Sequence, residues 1–254
     1  MRVHSNAIEL IGNTPMVQAR HLDTGPCELY LKLESQNPTG SIKDRIGLSM
    51  IEAAEAEGSL ETGGTVVEGT AGNTGLALAL VARQKGYRCV VVMPDKMSRE
   101  KVFHLRAMGA EVILTRSDVP GGHPEHYQSR AAQFAADTPG AHHINQFANP
   151  ANPLAHERGT GPEILAQMDG RLDALVCGVG SAGTMTGLSR FFGRESPRTE
   201  MILADPAGSL LAEYTRTGRI DGKGEPYVIE GIGGSEIPPV ADLSHVAHAY
   251  TISD

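Results

Sequence analysis

Short apolar runs alternate along this sequence with segments of helical periodicity, and glycines mark most of the changes between them. Residues 65–68, 89–93 and 111–114 are typical of buried strands, while residues 76–85 and 98–108 carry apolar side chains at helical spacing. The run at 89–93 is apolar at every position, as in a strand covered on both faces of a parallel sheet. Repeats of this kind predict an α/β fold with parallel-rich twisted sheets in two lobes.

Composition argues against several classes of protein. The net charge of −8 disfavours a nucleic-acid partner, and no apolar run approaches the length of a membrane span. Residues 1–6 lack the apolar core of a signal peptide, so we expect a cytoplasmic protein with no membrane partner. Cys27, Cys89 and Cys177 are widely spaced and odd in number, which favours reduced thiols and predicts neither a disulfide framework nor a metal site.

A lysine stands where a helix is predicted to begin. Residues 37–45 read Asn-Pro-Thr-Gly-Ser-Ile-Lys-Asp-Arg, a turn in which Ser41 can cap a helix that ends near Gly58. Lys43 then lies in the first helical turn, where the helix dipole disfavours positive charge and burial would lower the pKa of the amine further. Such an amine suits a Schiff base. The alternative is an ordinary solvated lysine.

A glycine-rich turn at residues 178–184 lies between a predicted strand and a predicted helix. Its backbone N–H groups and the hydroxyls of Ser181 and Thr184 can surround a phosphate. The same glycines also match G-x-G-x-x-G, and Asp205 follows roughly twenty residues on, as in a nicotinamide-dinucleotide fingerprint. An NAD-dependent oxidoreductase is therefore an alternative function.

A second glycine-rich turn, at residues 69–75, has the same strand–turn–helix context. Thr70, Asn73 and Thr74 offer it side-chain donors that can bind a substrate carboxylate, although a simple helix cap would look the same. A phosphate site, a carboxylate site and an activatable Lys43 together describe an enzyme that acts on amino acids through pyridoxal phosphate.

From about Ile8 to the end, the sequence resembles the cysteine synthase (O-acetylserine sulfhydrylase) and cystathionine β-synthase family of fold-type II pyridoxal-phosphate enzymes, whose fold is like that of the tryptophan synthase β subunit. The motifs that carry the resemblance, in chain order, are residues 37–45, 70–75, Met93-Pro94 with Met97-Ser98, Gln146-Phe147 with 149–153, 180–184 and 230–233. Residues 87–89, 96–98 and 152–156 are more similar to cystathionine β-synthase, whereas residues 160–164 and Gln146 are more similar to cysteine synthase.

The resemblance implies a role for each site residue. Lys43 would hold the cofactor as a Schiff base and later remove the substrate α-proton, and Asn73 would hydrogen-bond the cofactor ring hydroxyl. The phosphate would be held by Gly180, Ser181, Ala182, Gly183 and Thr184. The substrate would be bound by Thr70, Gly72, Asn73, Thr74 and Gln146, with Gly231 in a turn that lines the cleft.

Three departures from the family pattern stand out. Gly69 and Ala71 replace the usual Pro and Ser, which removes a hydroxyl donor from the carboxylate loop and loosens its turn. Ser181-Ala182 replaces the common Thr-Gly. The sequence ends at Asp254, before the segment that contacts the cofactor pyridine nitrogen in the family, so the C-terminal part of the fold is expected to be missing.

The resemblance implies a homodimer that performs β-replacement on a small-molecule amino acid, and we expect it to be cytoplasmic. Its substrate would be O-acetylserine, O-phosphoserine or serine, its nucleophile a sulfur compound, and its product cysteine or cystathionine. Residues 1–38 and 149–254 are predicted to form the larger, phosphate-binding domain, and residues 39–148 the smaller, carboxylate-binding domain. Besides the NAD alternative, a catalytically impaired cofactor-binding or scaffold protein of the same fold would fit the departures.

Overall fold

The computed structural model describes residues 3–70 and 72–253. By the contacts among its residues, the chain divides into two compact units, Met1–Asn145 and Gln146–Asp254. Within the described residues, no helix combines the length and apolar character that crossing a bilayer requires.

The first unit contains a parallel four-stranded sheet and a small antiparallel pair. Its helices are α1 (Lys43–Ala56), α2 (Asn73–Lys85), α3 (Arg99–Ala107) and α4 (Tyr127–Asp137). Its strands are β1 (Met16–Gln18), β2 (Tyr30–Lys32), β3 (Thr65–Gly69), β4 (Arg88–Pro94), β5 (Glu111–Thr115) and β6 (Ala141–His143), and short 3-10 helices lie at Ala7–Leu10 and Glu34–Gln36. β1 pairs antiparallel with β2, whereas β5-β4-β3-β6 are parallel throughout. The loops that follow β3 and β6 therefore leave from the same edge of the sheet.

The core of the first unit lies around β3 and β4. β3 is buried along its whole length and β4 at all but its first position, as expected for strands inside a parallel sheet. Ala131 of α4 packs on this sheet in a cluster with Val67 and Val90. α1 and α2 pack closely at Gly47, where an added Cβ would lie 3.0 Å from Ala77 Cβ. This crossing is four residues into each helix, which is about 6 Å along the axis from its first residue.

The second unit contains a three-stranded parallel sheet with helices connecting its strands. Its helices are α5 (Ala151–Ala155), α6 (Gly161–Gln167), α7 (Gly183–Glu195) and α8 (Leu211–Thr217), and a π-helical turn at His156–Thr160 joins α5 to α6. Its strands are β7 (Ala174–Cys177), β8 (Glu200–Pro206) and β9 (Val246–Ile252), in the order β7-β8-β9. The apolar core includes Met185 and Phe192 of α7, Leu203 of β8 and Leu211 of α8, all fully buried.

The predicted α/β class with parallel sheets is confirmed. Local differences have physical causes. Of the alternating residues 28–34, only β2 forms a regular strand, and its pairing continues by one residue at each end, where the Leu29 carbonyl accepts from the Ala19 N–H at 2.8 Å and the Leu33 N–H donates to the Pro15 carbonyl at 2.9 Å. The predicted bend at residues 149–153 contains the start of α5, in which Pro153 lies in the first turn, where a missing N–H removes no helical hydrogen bond.

Candidate active site

Lys43 is the first residue of α1. Ser41 Oγ accepts a hydrogen bond from the Lys43 N–H at 3.2 Å, so Ser41 satisfies a donor of the first turn as predicted, although Ile42 occupies the N-cap position. Lys43 is half-buried. Its position at the positive end of the helix dipole matches the sequence analysis, and its reaction with a carbonyl group stays a prediction.

Asp44, the next residue, ties α1 to the turn that precedes it. The carboxylate is fully buried and accepts a hydrogen bond from the Thr39 N–H at 2.7 Å and another from the Thr39 hydroxyl. Burial raises the pKa of Asp44 above its usual range, against the opposing effect of these two bonds. Thr39 and Asp44 thereby close the turn before Lys43 into a compact loop.

An ion pair between Arg45 and Glu34 anchors the same turn on its other side. Arg45 Nε lies 2.6 Å from Glu34 Oε2, and Arg45 Nη2 donates to Glu34 Oε1 at 2.8 Å and to Thr14 Oγ1 at 3.2 Å. Asn37 Nδ2 donates to Glu34 Oε2 at 2.9 Å, and Asn37 Oδ1 accepts from the Gly12 N–H at 2.8 Å. Burial acts to raise the pKa of Glu34, but the charge and hydrogen bonds of Arg45, together with the hydrogen bonds from Thr14 and Asn37, outweigh it and lower that pKa. The network fixes the polypeptide that leads to the predicted lysine site.

The predicted carboxylate-binding loop joins β3 to α2. Thr70 is buried, and its Oγ1 accepts a hydrogen bond from the Gly72 N–H at 3.3 Å. Gly72 is the N-cap of α2 and supplies no side-chain cap, and its carbonyl accepts a hydrogen bond from the Gly75 N–H at 3.1 Å. The positive end of this 13-residue helix favours an anion. Asn73 is exposed and Thr74 is buried. Ala71, one of the departures from the family pattern, lies outside the described residues.

Gly69, the other departure in this loop, is required by packing. A Cβ at this position would lie 2.9 Å from Gln128 Cα and 3.0 Å from the Tyr127 carbonyl oxygen, at the start of α4. Any side chain, including a proline ring, would force the start of α4 to move. Gly69 therefore lets α4 approach the end of β3 closely.

The helix pair α1 and α2 carries both predicted sites of the first unit. Lys43 and Asn73 are each the first residue of a helix, and each lies one turn before the crossing of Gly47 with Ala77. A change in the spacing of this crossing would therefore shift the predicted nucleophile and the predicted carboxylate site together.

The predicted phosphate loop, residues 178–184, joins β7 to α7. Ala182 has a left-handed backbone at φ +66°, and α7 begins at the next residue. Ser181 is buried to 8% exposure and Thr184 is half-buried. The first N–H groups of a 13-residue helix and two hydroxyls, in a loop without any acidic residue, form a donor set that fits a phosphate.

The turn that contains Gly231 lies against this loop. Gly231 adopts φ +92°, and its carbonyl oxygen lies 2.5 Å from where a Cβ on Gly180 would be. The Gly233 N–H donates to the Val179 carbonyl at 2.7 Å. The structure thus places two glycine turns of the second unit in contact, and the role of Gly231 in lining a cleft stays a prediction.

Gln146 is the first residue of the second unit and is buried. Its backbone carbonyl accepts a hydrogen bond from Asn152 Nδ2 at 2.7 Å. Of the predicted site residues, the first unit holds Lys43, Thr70, Gly72, Asn73 and Thr74, and the second holds Gln146, Gly180, Ser181, Ala182, Gly183, Thr184 and Gly231.

Two buried polar side chains behind the phosphate loop have no role predicted from the sequence. Asn152 Nδ2 donates to Ser181 Oγ at 3.1 Å, and His156 Nε2 lies 3.3 Å from Thr184 Oγ1. Each pair is separated by almost thirty residues, 29 and 28 respectively, so no local pattern reveals the contact. The available signal was that Asn152 and His156 lie within residues 152–156, which resemble cystathionine β-synthase.

Asp205, the acidic residue of the NAD alternative, is engaged inside the fold. It is 1% exposed, and its Oδ2 accepts a hydrogen bond from the Ala212 N–H at 2.8 Å in the first turn of α8. The carboxylate therefore stabilises the first turn of α8. Across residues 3–70 and 72–253, no group of three or more His, Cys, Asp or Glu side chains is placed to hold a metal ion.

Comparison with known families finds one match over nearly the whole chain. The family described as "Pyridoxal-phosphate dependent enzyme" matches residues 8–254. Among curated proteins, cystathionine beta-synthase of Mus musculus is 43% identical and aligns with all of this chain, and that of Dictyostelium discoideum is 40% identical and aligns with 94% of it. The chain spans 45% and 48% of the length of these two relatives.

Solved structures show the same likeness in three dimensions. A hydrogen sulfide-producing enzyme from Fusobacterium nucleatum superposes with a TM-score of 0.90 at 36% identity, covering all of this chain and 81% of its own. O-ureido-L-serine synthase also gives a TM-score of 0.90, at 35% identity over 99% of this chain and 77% of its own.

Proposed function

This chain belongs to the family of pyridoxal-phosphate-dependent enzymes, and we propose that it catalyses β-replacement on an activated serine with a sulfur nucleophile. The acceptor substrate would be O-acetylserine, O-phosphoserine or serine, and the product cysteine or cystathionine. The observation that carries the proposal is the position of Lys43 as the half-buried first residue of α1, one turn from the crossing with α2. The likeness to cystathionine beta-synthases and to a hydrogen sulfide-producing enzyme supports a sulfur nucleophile.

Residues of the second unit would hold the cofactor phosphate. The N–H groups at the start of α7 and the hydroxyls of Ser181 and Thr184 would supply donors, and Gly180, Ala182 and Gly183 would contribute backbone groups of the same loop. When bound, pyridoxal phosphate supplies an electron-withdrawing ring that acidifies the substrate α-carbon and permits loss of the β-substituent. The phosphate contacts fix the orientation of that ring.

Lys43 would supply both the covalent attachment of the cofactor and a base. Its Nζ atom would hold the cofactor through the carbonyl group and, when free, would accept the α-proton of the substrate. The helix dipole at the start of α1 favours the neutral amine that both tasks need. Thr39, Asp44 and the Glu34–Arg45 ion pair hold the turn before it in place.

Residues of the carboxylate loop would orient the substrate. The N–H groups at the start of α2, with Thr70, Gly72, Asn73 and Thr74, would bind the substrate carboxylate, and Asn73 would also contact the cofactor ring hydroxyl. Gln146 would bind the same carboxylate and Gly231 would line the cleft. Holding this carboxylate fixes the α-proton relative to Lys43.

Three further proposals concern the whole protein. Residues 1–38 and 149–254 would form the phosphate-binding domain, and residues 39–148 the carboxylate-binding domain. The protein would act as a cytoplasmic homodimer in cysteine biosynthesis, as a transferase or lyase. The family match favours pyridoxal phosphate over the nicotinamide cofactor of the alternative reading.

Turnover by Lys43→Ala tests the proposal directly. Purified wild-type protein with pyridoxal phosphate is given O-acetylserine, O-phosphoserine or serine, each with sulfide, thiosulfate or homocysteine, and the amino-acid products are separated and quantified. We expect one pairing to turn over in the wild type and a fall of at least 1,000-fold, on the order expected for loss of a nucleophile, in Lys43→Ala. The matched control is Lys223→Ala, which removes an exposed lysine and should retain full turnover.

The panel also separates the alternatives. Cofactor binding that depends on Lys43 without turnover on any pairing would favour the impaired cofactor-binding protein. Undiminished turnover in Lys43→Ala would rule out the proposed mechanism.

A further inference from the structure

One short segment supports both hydroxyls of the phosphate loop from behind. Asn152 of α5 contacts Ser181, and His156 of the π-helical turn contacts Thr184. Asn152 and His156 are 0% and 1% exposed, so neither can contact bulk water. Buried polar groups of this kind have fixed partners, and their donor and acceptor directions can be worked out from those partners.

The direction of the bond at Ser181 follows from the Gln146 carbonyl. A carbonyl oxygen only accepts, so the Asn152 side chain must point its NH2 group at Gln146. The same NH2 group lies 3.1 Å from Ser181 Oγ and donates to it. Asn152 Oδ1 faces Gly183, where a Cβ would overlap it. Because Ser181 accepts from Asn152, its own proton is directed elsewhere.

The direction at Thr184 depends on the tautomer of His156. Thr160 Oγ1 lies 3.0 Å from His156 Nδ1, and Thr184 Oγ1 lies 3.3 Å from Nε2. With the proton on Nε2, Thr160 donates to Nδ1, and Thr184 accepts from Nε2 and retains its own proton for another acceptor. A phosphate dianion only accepts hydrogen bonds, so this is the tautomer that leaves the Thr184 hydroxyl able to donate to a phosphate.

We propose that Asn152 and His156 are positioning residues that turn the Ser181 and Thr184 hydroxyl protons towards the cofactor phosphate. Each occupies an acceptor site of one hydroxyl, so that both hydroxyls act as donors to an anion. The inference rests on the proposed function, because it takes residues 180–184 as the phosphate site. If the proposal holds, the preference for pyridoxal phosphate over pyridoxal depends on Asn152 and His156, two side chains that need not touch the cofactor.

The test compares two substitutions of His156 in which a side-chain amide reaches the position of a different ring nitrogen. In His156→Gln the amide can reach the Nε2 position and still donate to Thr184. In His156→Asn the shorter amide reaches the Nδ1 position and keeps only the contact with Thr160. Equilibrium dialysis of the apoprotein gives the dissociation constants of pyridoxal phosphate and of pyridoxal. The ratio of the pyridoxal constant to the pyridoxal phosphate constant isolates the contribution of the phosphate, and it falls when the phosphate contacts are lost.

We expect His156→Asn to weaken binding of pyridoxal phosphate about tenfold, as for loss of one hydrogen bond to a charged group, with pyridoxal binding unchanged. His156→Gln should restore most of that loss. In a Thr184→Val background, His156→Asn should change the ratio no further, because the hydroxyl through which it acts is gone. Ser189→Ala, which removes a buried hydroxyl elsewhere on α7, is the control and should leave the ratio unchanged.

Asn152→Ala provides a second test, which is independent of the His156 variants because it acts through Ser181. It should lower the ratio in a protein with Ser181 and have no further effect on it in a Ser181→Ala background. Far-UV circular dichroism of each apoprotein identifies folded variants, so that either arm can decide the question if a variant of the other fails to fold.

The outcomes separate this inference from the proposal on which it rests. Equal weakening of pyridoxal phosphate and pyridoxal, or effects that add to those of Thr184→Val and Ser181→Ala, would overturn the positioning role alone. A wild-type protein that binds pyridoxal phosphate no more tightly than pyridoxal would overturn the phosphate site as well.

Discussion

Ala182 holds a backbone conformation that suits glycine better than alanine. Its φ of +66° is in the left-handed region, directly before the first residue of α7. For an L residue with a Cβ this region costs roughly 1–2 kcal/mol, and the greater flexibility of glycine in the unfolded chain offsets part of that difference. The phosphate loop is therefore formed at some cost in stability.

We predict that Ala182→Gly raises the free energy of unfolding by about 0.5–1 kcal/mol, because it removes this strain. Urea unfolding of the apoprotein measures the change. Ala132→Gly, on the exposed side of α4, is the control and should lower the free energy by about 1 kcal/mol, since glycine disfavours a regular helix. A loss of stability in both variants would show that Ala182 is not strained.

At the scale of single residues, the sequence predicts what depends on neighbours in the chain. Lys43 and each of the two glycine loops are within a few positions of the helix that they precede or begin, so their placement at helix starts was predictable. Asn152 and His156 act on residues 29 and 28 positions away, through contacts that depend on how α5 and the π-helical turn pack on α7. That packing cannot be read from local pattern.

At the scale of elements, the crossing of α1 and α2 decides where two helix starts lie. Gly47 has no room for a side chain: a Cβ would lie 3.0 Å from Ala77 Cβ and 3.1 Å from the Ala77 carbonyl carbon. A larger residue must push the helices apart, and Lys43 and Asn73 lie one turn away from that point.

We predict that Gly47→Val destabilises the protein by about 1–3 kcal/mol through overpacking and weakens binding of pyridoxal phosphate. Urea unfolding and equilibrium dialysis measure the two effects. Ala77→Gly, added to Gly47→Val, should recover part of the lost affinity because it removes the facing methyl group. If the double variant bound the cofactor no better than Gly47→Val, the crossing would not control the lysine site.

The elements also show where periodicity is a reliable guide. Strands β3 and β4 were predicted to within two residues at either end because their apolar runs are buried on both faces. Residues 28–34 alternate as a strand does, and within them the backbone hydrogen bonds to the β1 segment extend from Leu29 to Leu33. Alternating polarity in one segment indicates that the segment can form a strand. The number of residues that pair depends on the partner segment as well.

At the scale of the whole molecule, the Glu34–Arg45 ion pair links folding to pH. The pKa of Glu34 is lowered from its ordinary value of 4.5 in the folded protein. A carboxyl with a lowered folded-state pKa stabilises the fold above its unfolded pKa, and this contribution is lost as the pH falls through the folded value. The pKa of the neighbouring Asp44 is raised, so that group acts in the opposite direction.

We predict that Glu34→Gln lowers the free energy of unfolding by about 3 kcal/mol at pH 7, because Arg45 is left buried without its partner. The difference from wild type should shrink as the pH falls below 4.5, where protonation of Glu34 increasingly removes the pairing from the wild type as well. Urea unfolding at about five pH values between pH 3 and pH 7 gives the free energy of unfolding of each protein as a function of pH. The exposed Glu61→Gln is the control, and a constant difference across the range would refute the linkage.

The contact between Asn152 and Gly183 carries a consequence for how such a sequence can change over generations. A methyl group at position 183 would overlap the Asn152 amide oxygen, so almost any replacement there requires a smaller residue at 152, and that would remove the donor to Ser181. A replacement at position 183 therefore depends on which residue occupies position 152. Asn152 and Gly183 are therefore constrained together although they are far apart in the chain. A related protein with a side chain at position 183 would need a different donor to Ser181.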